Sequence, residues 1–156
     1  MKTCFFDSSA VAKLYHAETG TAEVEALLRD PENECIVSQL TTVEICSVFA
    51  LKVRTGAILA RDLELLRGKF FADLKAGRFR VVVLEPSHLQ MAQELILKYG
   101  LTHAVRSLDA IQLAVAIPLR SATGCNLIVA ADSRLCAVAA AEGFEVLNPE
   151  SNALGA

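Results

Sequence analysis

An alternation of short apolar runs with longer helical patterns sets the narrowest limit on the architecture of this chain. Thr3–Phe6, Cys35–Val37, Phe79–Leu84, Leu127–Ala130 and Phe144–Leu147 are brief and apolar, and several are rich in β-branched residues. Strands buried on both faces read this way, because neither face needs polar residues. Between them the sequence predicts helices. Ser8 or Ser9 caps one running to about His16, and Thr21–Arg29 forms the next, stopping before Pro31. Thr41 or Thr42 caps a helix ending near Gly56. Ile58–Lys75 is amphipathic through Leu59, Leu63, Leu66, Phe70 and Leu74. Pro86 opens a helix ending near Gly100 and Ser107 opens one running toward Pro118. Asp132 or Ser133 opens the last, closed near Gly143. This order predicts an α/β domain with a parallel sheet covered on both faces. In such sheets, sites form beyond the carboxyl ends of the strands.

A length of 156 residues suits one domain. No linker or repeat divides it, so one domain is expected over residues 1–150, followed by a tail over 151–156. Hydrophobic residues at 53% against 21% charged exclude intrinsic disorder. No run approaches the roughly 18 apolar residues of a membrane span. Asp7 cuts the apolar stretch Cys4-Phe5-Phe6 too early for a signal peptide. The expectation is a cytoplasmic protein with no membrane partner. The net charge of −3 excludes a polycation, so binding to nucleic acid would need a local basic patch or metal ions. The five cysteines include no CxxC pair, and His16, His88 and His103 show no zinc-type spacing.

Four carboxylates occupy conspicuous positions. Asp7 directly follows the first strand, and Asp132 follows the strand at Leu127–Ala130. Glu44 lies in a helix that is apolar over much of its surface. Asp109 lies in the first turn of its helix, before Ala110-Ile111. Each has an ordinary structural reading: Asp132 and Asp109 as helix caps, Asp7 as a turn residue, Glu44 as half of an ion pair. Together they point elsewhere. Four acids at one sheet edge would repel by about 3 kcal/mol per pair at ~5 Å and an effective dielectric near 20. Proteins tolerate this where a cation binds or a proton is shared. An all-carboxylate set favours Mg²⁺ or Mn²⁺ over Zn²⁺.

The residues around these acids carry a family resemblance. Cys4-Phe5-Phe6-Asp7-Ser8-Ser9-Ala10-Val11-Ala12-Lys13-Leu14-Tyr15 resembles the opening motif of PIN-domain ribonucleases, and among them the VapC toxins of type II toxin–antitoxin pairs. Thr42-Val43-Glu44 resembles their second motif. Arg106-Ser107-Leu108-Asp109-Ala110-Ile111-Gln112-Leu113-Ala114 resembles their third. Val129-Ala130-Ala131-Asp132-Ser133-Arg134-Leu135, with Gly143-Phe144 and Asn148-Pro149 beyond, resembles their last. The four motifs stand in order from about residue 3 to residue 149.

The resemblance implies a three-layer α/β/α PIN-like domain with a five-stranded parallel sheet of order 3-2-1-4-5. It implies Mg²⁺ (or Mn²⁺) held by Asp7, Glu44, Asp109 and Asp132, and hydrolysis of RNA phosphodiesters by metal-activated water, leaving a 5′-phosphate and a 3′-hydroxyl. The implied substrate is tRNA or rRNA, and the implied partners are a cognate antitoxin and a second copy of the chain. Many members carry Thr where this chain has Ala130, which leaves Asp132 to act directly or through a bridging water, with Ser133 as a substitute hydroxyl. Ser9 is expected beside the first Asp. Arg106 and Gln112, one turn either side of Asp109, are expected to orient it or to touch phosphate.

Residues 52–80 hold eight basic side chains (Lys52, Arg54, Arg61, Arg67, Lys69, Lys75, Arg78, Arg80) against Asp62, Glu64 and Asp73. This is the only basic concentration in the chain. Lys69, Lys75 and Arg78 are the expected RNA contacts, the alternative being a solvated helix face. Relatives use the same region for dimerisation and for receiving the antitoxin. Two other readings stand beside the nuclease: a catalytically inactive PIN-like protein that binds RNA or a partner, and a haloacid-dehalogenase-like phosphatase. The latter usually wants a second acid where Ser9 stands.

Overall fold

The computed structural model describes residues 2–151, so the expected tail, apart from Ser151, lies outside the described residues. The elements are β1 (Thr3–Phe6), α1 (Ser8–Val11), α2 (Thr21–Arg29), β2 (Glu34–Ser38), α3 (Thr41–Arg54), α4 (Leu63–Lys75), β3 (Arg80–Val82), α5 (Pro86–Tyr99), α6 (Ser107–Thr123), β4 (Leu127–Val129), α7 (Ser133–Ala141) and β5 (Glu145–Leu147). The five strands form one parallel sheet in the order β3-β2-β1-β4-β5, as expected. No described helix is long and apolar enough to cross a membrane.

Alternation along the strands divides the core in two. Phe5, Ile36 and Ile128 point to one face and pack with Leu95 of α5, Leu113 of α6 and Leu135 and Val138 of α7. Cys4, Phe6, Val37 and Val129 point to the other and pack with Val11, Val24, Ile45, Phe49 and Phe70 from α1–α4. The apolar run of β1 thus supplies both layers, and β1 is the central strand. Its carboxyl end lies between those of β2 and β4, where the strand order reverses.

Several elements differ from their sequence expectation: Asp7, not Ser8 or Ser9, caps α1, and α3 begins after Leu40 with no side-chain cap. The first helix gives way to a 3-10 turn at Ala12–Leu14. The helix expected from Ile58 begins at Leu63. Gly56 takes φ +75° after α3, and Leu59 is extended and 54% exposed, so the buried stripe starts at Leu66 and Phe70. The helix expected to run toward Pro118 continues through it to Thr123. Pro118 removes one N–H from the ladder, but buried Leu119 holds the next turn on the core. The helix ends at Gly124, whose left-handed conformation lets its N–H reach the Arg120 carbonyl.

The carboxyl-terminal segment is anchored at Lys13, whose side chain is only 2% exposed. Its Nζ meets Glu150 Oε1 at 2.7 Å, Glu18 Oε1 at 3.2 Å and the Thr19 carbonyl at 2.9 Å. Beside it Gly20 (φ +87°) abuts Pro149, where a Cβ would fall 2.8 Å from backbone atoms.

Candidate active site

Asp7 is built by the end of β1. Its N–H donates to the Val129 carbonyl at 3.0 Å, extending the β1–β4 ladder one residue past the strand. The side chain is 5% exposed and caps α1. Its Oδ2 accepts the Ser9 N–H at 3.0 Å and the Ser9 hydroxyl at 2.5 Å. Burial pushes its pKa up; the Ser9 and Ser8 hydrogen bonds oppose this and the nearby Asp132 adds to it. Ser9 Oγ also accepts the N–H of Ala131 at 3.0 Å. One hydroxyl thereby ties the first acid to the segment carrying the last. Ser9 thus occupies the place beside the first Asp that the sequence predicts, and it orders the end of β4 where Ala130 has no hydroxyl to offer. Ser133, the expected substitute, is exposed at the start of α7.

Asp132 caps α7. Its Oδ1 accepts the N–H groups of Arg134 at 2.8 Å and Leu135 at 3.2 Å. The cap reading of this residue is therefore correct, and compatible with the second role, because the same carboxylate acts electrostatically on Asp7 and Asp109.

Asp109 sits in the first turn of α6. Its Oδ2 is buried and has no hydrogen-bond partner. Burial, then Asp132 and Asp7, raise its pKa to about 6 against the opposing pull of Arg106. Arg106 is the extended residue that precedes α6, not part of its first turn, and it acts on Asp109 through its backbone N–H and its charge.

Glu44 lies in the first turn of α3, half-buried. Burial is the main reason its pKa rises to about 7, with Asp7 and Asp109 adding to it and hydrogen bonds from Gln112 and Ser8 opposing. From its place one turn further along α6, Gln112 is expected to orient Asp109 or touch phosphate, but its hydrogen bonds go to Ser38, Thr41 and Glu44. It is 1% exposed. Ser8, Ser38 and Thr41, all buried, complete the polar lining; the sequence offers Ser8 and Thr41 only as helix caps and does not single out Ser38. Ser38 did leave a signal, as the polar residue that ends an apolar strand at the sheet edge where sites form.

Every acid thus stands at or within the first turn of a helix that leaves the carboxyl edge of the sheet. Helix N-termini favour anions by about 0.3–1 kcal/mol each. That falls short of the repulsion between close carboxylates, so the cluster remains short of positive charge. The donor set is entirely hard oxygen, and one buried oxygen of Asp109 lacks a partner. Both fit a divalent cation such as Mg²⁺ or Mn²⁺. Among the described residues no three His, Cys, Asp or Glu side chains are placed to hold a metal ion together.

The basic residues lie elsewhere. Lys69 and Lys75 are exposed on α4. Arg78 pairs with Asp73 at 3.1 Å, Arg80 with Glu34 at 2.7 Å and Arg67 with Glu64 at 3.2 Å. Arg78 just precedes β3, and β3 runs parallel to β1 and β4. Arg78 and Lys75 therefore flank the amino edge of the sheet, opposite the acids.

The family model described as PIN domain matches residues 4–141. Among solved structures, VapC20 of Mycobacterium tuberculosis, a sarcin–ricin loop cleaving toxin, superposes with a TM-score of 0.64 at 18% identity, covering 93% of this chain and 97% of that one. A toxin–antitoxin complex from Klebsiella pneumoniae gives 0.59 at 18% identity, covering 94% and 97%. VapBC2 from Rickettsia felis, bound to a DNA fragment from its promoter, gives 0.60 at 13% identity, covering 93% and 97%. At these identities the likeness is one of fold. No curated protein sequence matches the chain.

Proposed function

The chain belongs to the PIN-domain family, and we propose that it is a metal-dependent endoribonuclease acting as the toxin of a type II toxin–antitoxin pair. What supports this reading is that Asp7, Glu44, Asp109 and Asp132 lie near enough to act on one another's charge, with a buried, unpartnered oxygen on Asp109. The toxin folds among its structural neighbours support the toxin assignment.

Asp7, Asp109, Glu44 and Asp132 would hold Mg²⁺ or Mn²⁺. When bound, the cation supplies the positive charge that offsets the carboxylates, attracts a phosphodiester and makes water a better nucleophile. Asp7 and Asp132 come from adjacent strand ends and are held by Ser9 and by the N-terminus of α7. Asp109 offers its free Oδ2. Glu44, raised to about 7, is partly protonated near neutral pH, and Asp109, raised to about 6, is protonated only below it; a cation would displace both protons. The substrate is a structured RNA, tRNA or rRNA, recognised by fit. A cognate antitoxin silences the site, the working form is a homodimer, and the setting is the cytoplasm.

The test is cleavage of total RNA by the purified protein with Mn²⁺, with EDTA, and by Asp109→Asn in parallel. Discrete fragments confined to the wild type with Mn²⁺ are expected. Cleavage that persists in EDTA or in the variant overturns the assignment.

A further inference from the structure

Gln112 is a buried polar side chain in a helix face that otherwise carries Leu113, Ala116 and Leu119 into the core. Its amide oxygen accepts the Ser38 hydroxyl at 2.6 Å. Its amide nitrogen donates to Thr41 Oγ1 at 3.1 Å and to Glu44 Oε1 at 2.5 Å. Ser38 closes β2, and Thr41 opens α3. Both hydrogens of the amide are therefore engaged, and so is its oxygen. Turned over, the amide would set its oxygen against the Glu44 carboxylate and its nitrogen against a hydroxyl that now donates. The orientation given satisfies every hydrogen-bonding group of the amide.

Buried polar groups destabilise a core unless every valence is met. Leucine would fill this position without that demand. Here Ser38, Thr41 and Gln112 form a buried set whose outlet is Glu44, the one member that is only half-buried. Glu44 sits on a long, flexible side chain, and without a fixed donor it would sample several rotamers.

We propose that Gln112 is a positioning residue for Glu44: it joins the end of β2 to α3 and α6 and holds Glu44 Oε1 at one place in the crevice, toward the divalent cation. It reaches neither Asp109 nor substrate, so it acts only through Glu44. This inference rests on the reading of the crevice as a cation site.

The test is Mn²⁺ titration by calorimetry of the full chain: wild type, Gln112→Leu, Glu44→Gln and the double variant, each with its melting temperature. Residues that orient metal ligands typically govern affinity by 10–100-fold. Gln112→Leu is expected to weaken Mn²⁺ binding about tenfold, and the double variant to bind no more weakly than Glu44→Gln alone. A merely structural role would lower the melting temperature in both backgrounds without that cancellation. The inference is overturned if Gln112→Leu binds Mn²⁺ like the wild type, or if its full loss persists in the Glu44→Gln background. It also falls, alone, if Glu44→Gln leaves the affinity unchanged while Asp109→Asn removes it. Failure of the wild type to bind Mn²⁺ sinks the cation site itself, and this inference with it. Should Gln112→Leu not fold, Ser38→Ala releases the amide oxygen instead. It is expected to weaken Mn²⁺ binding about threefold, again only where Glu44 is present, and an unchanged affinity overturns the inference.

Discussion

Ser9 donates its hydroxyl to Asp7 Oδ2 across 2.5 Å while accepting the backbone N–H of Ala131 at 3.0 Å. The ends of β1 and β4 are thereby joined by a side chain as well as by the sheet. Removing it takes a donor from a buried carboxylate and an acceptor from a backbone N–H. Hydrogen bonds to charged groups contribute about 1.5–3 kcal/mol. Ser9→Ala is therefore expected to lower the melting temperature by about 4–8 °C and to reduce Mn²⁺ affinity; Ser9→Thr keeps the hydroxyl and largely preserves both. Scanning calorimetry of the pair, with and without Mn²⁺, is the check, and equal behaviour of the two variants would remove Ser9 from the site.

The acids set a distinctive pH dependence in the metal-free protein. Glu44 rises from 4.5 to about 7 and Asp109 from 3.8 to about 6, each chiefly through burial. The folded state then binds more protons than the unfolded chain across this window. Stability from these groups is fully present below about pH 4 and is lost as pH rises through about 6 to 7. The melting temperature should fall from about pH 5 to about pH 7.5, and the fall should shrink in Glu44→Gln. Saturating Mn²⁺ should reverse the trend, because it binds the deprotonated carboxylates. Melting curves that rise through this range without metal would contradict the assigned environment.

Asp109→Asn should separate stability from activity. It removes a charge repelled by Asp132 and Asp7, with little change in volume. The metal-free variant is expected to melt about 2–4 °C higher at pH 8, corresponding to about 1 kcal/mol after allowance for solvent screening. RNA cleavage should be lost, and Mn²⁺ should no longer raise the melting temperature. A variant that is both destabilised and active would be incompatible with this arrangement.

The basic segment should divide by phenotype. Lys69 and Lys75 are exposed, whereas Arg78 is bonded to Asp73, which also accepts the Tyr15 hydroxyl at 2.8 Å. Lys69→Ala with Lys75→Ala is expected to lower the salt dependence of RNA binding by about 2 in slope while leaving the melting temperature unchanged. Arg78→Ala should act mainly on stability. Filter binding across a salt series, paired with thermal melts, distinguishes the two; an unchanged slope in the lysine variant returns those residues to a solvated face.

Gly20→Ala tests the anchoring of the carboxyl-terminal segment. The substitution forces a left-handed residue to carry a Cβ and places it 2.8 Å from Pro149. A loss of about 2 kcal/mol or more is expected from the two effects together. Chemical denaturation measures it, and a neutral result would mean that Pro149 can yield.

Much of this architecture was legible in the sequence, because its informative residues act locally. A carboxylate just past an apolar strand, as at Asp7 after Phe6 and Asp132 three residues after Val129, falls at the sheet edge whatever the helices do. Pro118 misled because its effect depends on the residues beyond it: buried Leu119 carries the helix on, and only Gly124 stops it. The partner of Gln112 was hidden for a different reason. Its spacing to Asp109 is fixed by α6 alone, but its bond to Glu44 depends on how α3 and α6 meet at the end of β2, which no local pattern encodes. The same holds for the separation of Arg78 from the acids, which arises from the parallel direction of β3 and not from charge counts.

The position of β1 in the middle of the sheet has a consequence for a chain made from its amino end. One neighbour, β2, emerges soon after it, but the other, β4, comes only after α6. At ~5–20 residues per second of synthesis, Asp7 therefore waits roughly 6–25 s for Asp132. Until then the crevice lacks one wall and Ser9 lacks Ala131. A ribosome-bound chain that stops short of β4 carries Asp7, Glu44 and Asp109 without the strand that places Asp132 beside Asp7, so that edge of the sheet is complete only once synthesis has passed α7.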